Sequence, residues 1–80
     1  MAESTGQDEE ALAYLEEALQ IKRALFAAEP HNPELKRALD IALDKIGKLA
    51  ESAGRNEAAL AYFREDLVIL RELAEAEPRT

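Results

Sequence analysis

Apolar residues recur every three or four positions along three stretches of the chain. The first stretch carries two such stripes, one of Ala11, Tyr14, Ala18, Ile21, Leu25 and Ala28, and one of Leu12, Leu15, Leu19 and Phe26. The third stretch also carries two, namely Ala59, Tyr62, Ile69, Leu73 and Ala76, and Leu60, Phe63, Leu67, Leu70 and Ala74. This spacing is typical of amphipathic α-helices. Two stripes make an unusually wide apolar surface, which predicts that each helix lies between two neighbours.

Capping residues bound the predicted helices. We expect Asp8, Asn32 and Asn56 to cap the three N-termini, because short polar side chains accept hydrogen bonds from the free N–H groups of a first turn. Pro30 is expected to end the first helix and Gly54 the second. The predicted helices span about residues 7–28, 33–53 and 57–76.

Short links between these helices predict an all-α fold. The links, residues 29–32 and 54–56, leave room only for tight turns, which bring successive helices into antiparallel contact. We therefore expect one domain over residues 6–78, an antiparallel three-helix array, preceded by a disordered tail over residues 1–5.

Composition excludes several classes of function. The 80 residues include no cysteine and one histidine, His31, so neither a zinc site nor a catalytic Cys–His pair is expected. A net charge of −7 disfavours nucleic acid and anionic membranes as partners. No apolar run is long enough for a membrane span, and residues 1–5 do not resemble a signal peptide. We predict a cytoplasmic protein that is not an enzyme and needs no cofactor.

The chain repeats itself at an interval of 48 residues. Aligning residues 6–32 with 54–80 gives fourteen identities in 27 pairs, including the run Ala-Leu-Ala-Tyr at residues 11–14 and 59–62. Gly6 and Pro30 coincide with Gly54 and Pro78, which biased composition alone would not produce. A two-helix unit repeated in tandem is the pattern of an α-solenoid.

The middle and third helices carry a more specific pattern. Leu43, Ile46, Gly47 and Ala50 stand in one helix and Ala59 and Phe63 in the next, with Gly54 at the turn between them. This arrangement resembles an elongated tetratricopeptide repeat, similar to those of kinesin light chains and of many bacterial arrays. In such a repeat Gly47 lets the next helix approach closely, and Phe63 fills the gap.

The resemblance is not complete. Leu43 and Ala50 depart from the family pattern, which has a Trp-like residue and a Tyr at these positions. Even so, the resemblance implies a tetratricopeptide-like α-solenoid fragment that binds proteins. Its helices follow the order second helix, first helix, second helix of the repeat unit.

The resemblance also implies a ligand groove along the first helix of the unit. The corresponding positions are Ile41, Asp44, Lys48, Glu51 and Ser52. Some members clamp a terminal carboxylate with a lysine, but Asp44 stands at that position, which argues against this activity. The alternative interpretation is a solvated ladder of opposite charges at four-residue spacing, comprising Lys36, Asp40, Asp44 and Lys48.

Self-association is the other candidate function. The first and third helices have wide apolar surfaces but one neighbour each within the chain, and monomers rarely leave large apolar patches open. Lys22 and Asp66 interrupt these surfaces and are candidates for contacts between chains. The full set of candidate self-association residues is Tyr14, Ile21, Lys22, Tyr62, Asp66, Ile69 and Leu70. We expect a scaffold that forms a homo-oligomer, with a dimer favoured; the alternatives are a peptide-binding adaptor module and a regulatory fragment of a longer repeat protein.

Overall fold

The computed structural model describes residues 5–76, which form three α-helices and no strand. These are α1 (Thr5–Ala28), α2 (Pro33–Ser52) and α3 (Asn56–Ala76). The helices match the expected ranges to within two residues at each end. The expected tail lies outside the described residues except for Thr5, at which α1 begins, and so do the last two residues of the expected domain.

Asn32 caps α2, as its position before Pro33 predicted. Its side-chain oxygen accepts hydrogen bonds from the backbone N–H groups of Glu34 (2.9 Å) and Leu35 (3.4 Å), which have no partner inside the helix. The other two capping predictions are not met. Asp8 lies inside the first turn of α1, and Asn56 is itself the first residue of α3.

Gly54 ends α2 in a Schellman motif. Its φ of +84° is in the left-handed region that glycine adopts without strain. Its N–H donates to the carbonyl of Glu51 (3.0 Å), and the N–H of Arg55 donates to that of Ala50 (2.8 Å). These two bonds satisfy carbonyls at the end of α2 and turn the chain directly into α3.

Helix α2 lies between α1 and α3 and packs against both. In the described part of the chain no Cα of α1 comes within 8 Å of a Cα of α3. The core is therefore built around α2, which supplies half of the buried apolar residues. The buried apolar residues are Leu12, Leu19, Leu39, Leu43, Ile46, Ala50, Ala59 and Ile69.

The two equivalent helices contact α2 through different stripes. In α1, Leu19 is 1% exposed, whereas its equivalent in α3, Leu67, is 47% exposed. The other stripe shows the opposite: Ile69 of α3 is 4% exposed and its equivalent Ile21 of α1 is 58% exposed. Each end helix thus leaves open the stripe that its copy buries against α2.

Candidate interaction surfaces

The exposed stripe of α1 forms one candidate surface. Tyr14, Ile21 and Leu25 are each at least half exposed and lie on one face of the helix at spacings of seven and four. We call these three residues the α1 outer face. Half-buried Ala18 and Lys22 border it on the side of α2.

The exposed stripe of α3 forms a second candidate surface. It comprises the exposed residues Leu60, Leu67 and Leu70, and we call it the α3 outer face. Val68 is also exposed but lies on another side of the helix. Leu60 and Leu67 are the equivalents of Leu12 and Leu19, which α1 buries against α2. The chain itself therefore shows that a stripe of this composition can pack against a helix.

The structure separates the predicted self-association residues into three groups. Tyr14, Ile21 and Leu70 are exposed, whereas Lys22 and Tyr62 are half-buried. Ile69 and Asp66 are buried, so their assignment to an exposed surface is wrong for the folded chain. The reason is that α3 meets α2 through the stripe that contains them, while α1 meets α2 through its other stripe.

The five predicted groove residues do not line one cavity. Ile41 borders a crevice of about 320 Å³ between α1 and α2, whose other lining residues are Leu15, Ala18, Lys22, Ala38, Ala42 and Lys45. Asp44 and Lys48 form an ion pair with each other at 3.2 Å. Glu51 borders a separate depression beside Phe63, and Ser52 is exposed.

Polar side chains connect α1 to α3 across the edge of α2. The guanidinium of Arg23 donates to both carboxylate oxygens of Glu65, at 2.9 and 2.5 Å. The hydroxyl of Tyr62 donates to Glu16 (3.1 Å). We call these two contacts, together with the ion pair between Arg55 and Glu9, the α1–α3 seam.

The contacts of the seam and burial raise the pKa of two of its members, Arg23 and Tyr62. The hydrogen bond to Glu65 raises the pKa of Arg23, although burial opposes this. Burial first, and the hydrogen bond to Glu16 second, raise the pKa of Tyr62.

Sequence reasoning missed the seam, although Glu9, Glu16 and Arg23 recur at intervals of seven beside an apolar stripe. The contacts join Glu9 to Arg55, Glu16 to Tyr62 and Arg23 to Glu65, so they follow the same order along both helices. This order shows that α1 and α3 run parallel, and α2 is therefore antiparallel to each.

A buried carboxyl group lies between α2 and α3. Asp66 is 7% exposed, its side chain contacts that of Asp40, and its Oδ1 has no hydrogen-bond partner. Burial, the hydrogen bond to Asp40 and the nearby charges of Asp40 and Asp44 raise the pKa of Asp66 to about 7, since each of these effects disfavours the charged form. The first repeat copy has Ala18 at the equivalent position.

These carboxylates do not amount to a metal site. Across residues 5–76 no group of three or more histidine, aspartate and glutamate side chains is arranged to hold a metal ion. In the same range no helix is long and apolar enough to cross a bilayer.

Comparison with known proteins finds a similarity in the first part of the chain. Residues 1–34, which include α1 and the link to α2, match the family model described as tetratricopeptide repeat. No curated protein and no solved structure matches the chain. Tetratricopeptide repeats suggest a module for protein–protein interaction. The similarity over residues 1–34, the second copy of this segment 48 residues later and the packing of α2 on α3 support a tetratricopeptide-like repeat.

Proposed function

We propose that the chain is a non-catalytic protein-interaction module that associates with copies of itself through the α1 outer face and the α3 outer face. The observation that carries this proposal is that the two copies of one sequence, α1 and α3, bury opposite apolar stripes against α2. Ile21 and Leu67 are about half exposed, whereas their equivalents Ile69 and Leu19 are almost fully buried against α2.

The surroundings of the buried equivalents indicate which kind of surface would cover the exposed stripes. Ile69 is buried by a helix that runs antiparallel to its own, and Leu19 is buried by the other side of the same helix. Their exposed equivalents have the same side chains on the same helical frame, so an apolar helix face suits them too. Burying a fully exposed Leu or Ile side chain is worth about 1.5–3 kcal/mol, so each half-exposed side chain on the two faces would contribute roughly half of that.

A second candidate function is the capture of a peptide in the crevice between α1 and α2. The residues that line the crevice are mostly apolar and include Ile41, together with the two lysines Lys22 and Lys45. Neither lysine has an ion-pair partner among the described residues, so an apolar segment with carboxylates would suit this crevice best. The crevice is only partly enclosed and is bordered by few residues. We therefore favour self-association, which involves two larger apolar faces.

Sedimentation velocity across a wide range of protein concentration tests the proposal. We expect a monomer of 8.9 kDa at the lowest concentrations and a species of twice that mass or more at high concentration. Ile21→Ser and Leu67→Ser should each shift self-association to higher concentration. Gln20→Ser, at an exposed site in α1, is the matched control and should behave as the wild type. A wild-type chain that remains a monomer throughout would overturn the proposal.

A further inference from the structure

The α1–α3 seam provides a template for contacts between one repeat copy and the next. On the α1 side it uses Glu9, Glu16 and Arg23; on the α3 side it uses Arg55, Tyr62 and Glu65. Because the two helices are copies, α3 also has residues at the positions that α1 uses, and α1 has residues at the positions that α3 uses.

The α3 residues equivalent to the α1 members of the seam make no contact of this kind within the chain. Shifting the three α1 positions by 48 residues gives Glu57, Arg64 and Arg71. All three of these α3 residues are exposed, and within residues 5–76 none of them has an ion-pair or hydrogen-bond partner through its side chain. Arg64 and Arg71 follow Leu60 and Leu67 by four residues each, so the two arginines border the α3 outer face.

The same holds for the α1 residues equivalent to the α3 members of the seam. Shifting the three α3 positions back by 48 residues gives Gln7, Tyr14 and Glu17. These side chains are also exposed and without a partner in the described part of the chain. Glu17 lies one helical turn from Tyr14 and from Ile21, so a carboxylate borders the α1 outer face.

We propose that copies of the chain associate head to tail, with α3 of one copy beside and parallel to α1 of the next. In this arrangement Arg71 pairs with Glu17 of the partner subunit in the register in which Arg23 pairs with Glu65. The two helices are in direct contact here, whereas within the chain α2 lies between α1 and α3. The α3 outer face and the α1 outer face of the partner subunit then cover each other. The inference rests on the proposed self-association. It adds which helices of two copies pair and in which register.

Charge favours this arrangement over a symmetric pair. Two α3 outer faces placed together would bring two arginines but only one glutamate, Glu57, from each copy into one interface. Two α1 outer faces would bring the Glu17 side chains of both copies together. Like charges at an interface cost free energy, whereas the head-to-tail contact joins arginine to glutamate. A head-to-tail contact also leaves one free face at each end of the pair, so assembly continues beyond the dimer as concentration rises.

Charge reversal with mixing tests the register. Arg71→Glu places glutamate against Glu17 at each contact between identical chains, and Glu17→Arg places arginine against Arg71. Each variant alone should self-associate about fivefold or more weakly than the wild type, consistent with the loss of about 1 kcal/mol from one exposed pair. Mixed in equal amounts, the two variants can alternate along the assembly, and every contact then joins a glutamate to an arginine. Self-association should therefore return to near the wild-type level. Glu34→Lys, which reverses an exposed charge on α2 that neither candidate surface uses, is the control and should leave self-association unchanged.

The outcomes separate this register from the proposed function. If the wild type self-associates and the mixture is no stronger than either variant alone, the head-to-tail register is wrong and the proposed self-association stands. If the wild type does not self-associate, both are wrong. Circular dichroism melts of each variant show whether a weaker assembly reflects a lost contact or a lost fold.

Discussion

The ring of Phe63 lies against the backbone of Gly47, in the space that a side chain at position 47 would need. A Cβ built on Gly47 would stand 2.5 Å from Cε1 of Phe63 and 2.9 Å from Cδ1 and Cζ. Real Cβ atoms do not make contacts that short, so the Phe63 ring would have to move to make room for a side chain at position 47.

We predict that Gly47→Ala destabilises the fold despite the higher helix propensity of alanine. The gain in propensity is about 1 kcal/mol, whereas overpacking a tight contact typically costs about 1–3 kcal/mol. The free energy of unfolding in urea should therefore fall by about 1 kcal/mol. Adding Phe63→Leu, which shortens the opposing side chain, should cost less in the Gly47→Ala background than in the wild type. Strictly additive effects would show that the ring and the glycine are not in contact.

The carboxyl group of Asp66 makes stability depend on pH. Its pKa is raised from 3.8 to about 7, so the folded chain holds a proton that the unfolded chain releases at lower pH. The contribution of this group is fully favourable below the unfolded pKa of 3.8 and is lost as the pH rises through about 7. With about 1.36 kcal/mol for each unit of pKa shift, the loss is on the order of 4 kcal/mol.

Chemical unfolding of Asp66→Asn at several pH values isolates this effect. The stability difference between the variant and the wild type should change between about pH 4 and pH 8, because Asp40 and Asp44 then face a neutral amide at every pH. Glu10→Gln, at an exposed site in α1, is the control and should follow the wild-type profile. A difference between Asp66→Asn and the wild type that does not vary with pH would contradict the shifted pKa.

The side chain of Asn32 should contribute measurably to α2. Replacing it by Ala removes the acceptor for two backbone N–H groups, and loss of such a cap typically costs about 1 kcal/mol. Asn32→Ser keeps an acceptor oxygen at the cap without placing a second carboxylate beside Glu29, to which the Asn32 amide donates, and should retain most of the stability. Thermal melts of the two variants measure the difference, and equal losses would exclude the capping role.

Gly54 and Gly6 are equivalent in the repeat but differ in backbone conformation. Gly54 has a positive φ, and a residue with a Cβ in this region costs about 1–2 kcal/mol. Gly6 is inside α1, with nothing near the position of a Cβ. We therefore expect Gly54→Ala to lower the melting temperature and Gly6→Ala to leave it unchanged or raise it. A similar fall for both would argue against the Schellman turn.

The sequence predicted the helices and the turns well, because proline, glycine and Asn32 mark their ends. It also predicted the contact between Gly47 and Phe63, since the glycine stands where the tetratricopeptide pattern requires a close approach of the next helix. It did not predict which stripe of each end helix faces α2. Both stripes are apolar and of similar length, so hydrophobicity alone does not choose between them, and Asp66 in one stripe pointed to the wrong answer.

The position of Asp66 shows the physical limit of that reasoning. A charged side chain in an apolar stripe indicates a solvent-exposed face only if it keeps its charge. Here burial and proximity to Asp40 favour the neutral acid. The seam between α1 and α3 was missed for a related reason. Its members look like ordinary surface charges until the parallel arrangement of the two helices brings them together.

Paired alanine substitutions at equivalent sites test the central claim most directly, namely that the two copies present opposite stripes to α2. Leu19 is buried and Leu67 is exposed. In urea unfolding at a protein concentration low enough to keep the chain monomeric, Leu19→Ala should lower the free energy of unfolding by about 2–4 kcal/mol. Leu67→Ala, the same change at the equivalent position, should alter it by only about 0.5 kcal/mol or less. Equal losses at the two positions would contradict the exchange of stripes and the interaction surfaces inferred from it.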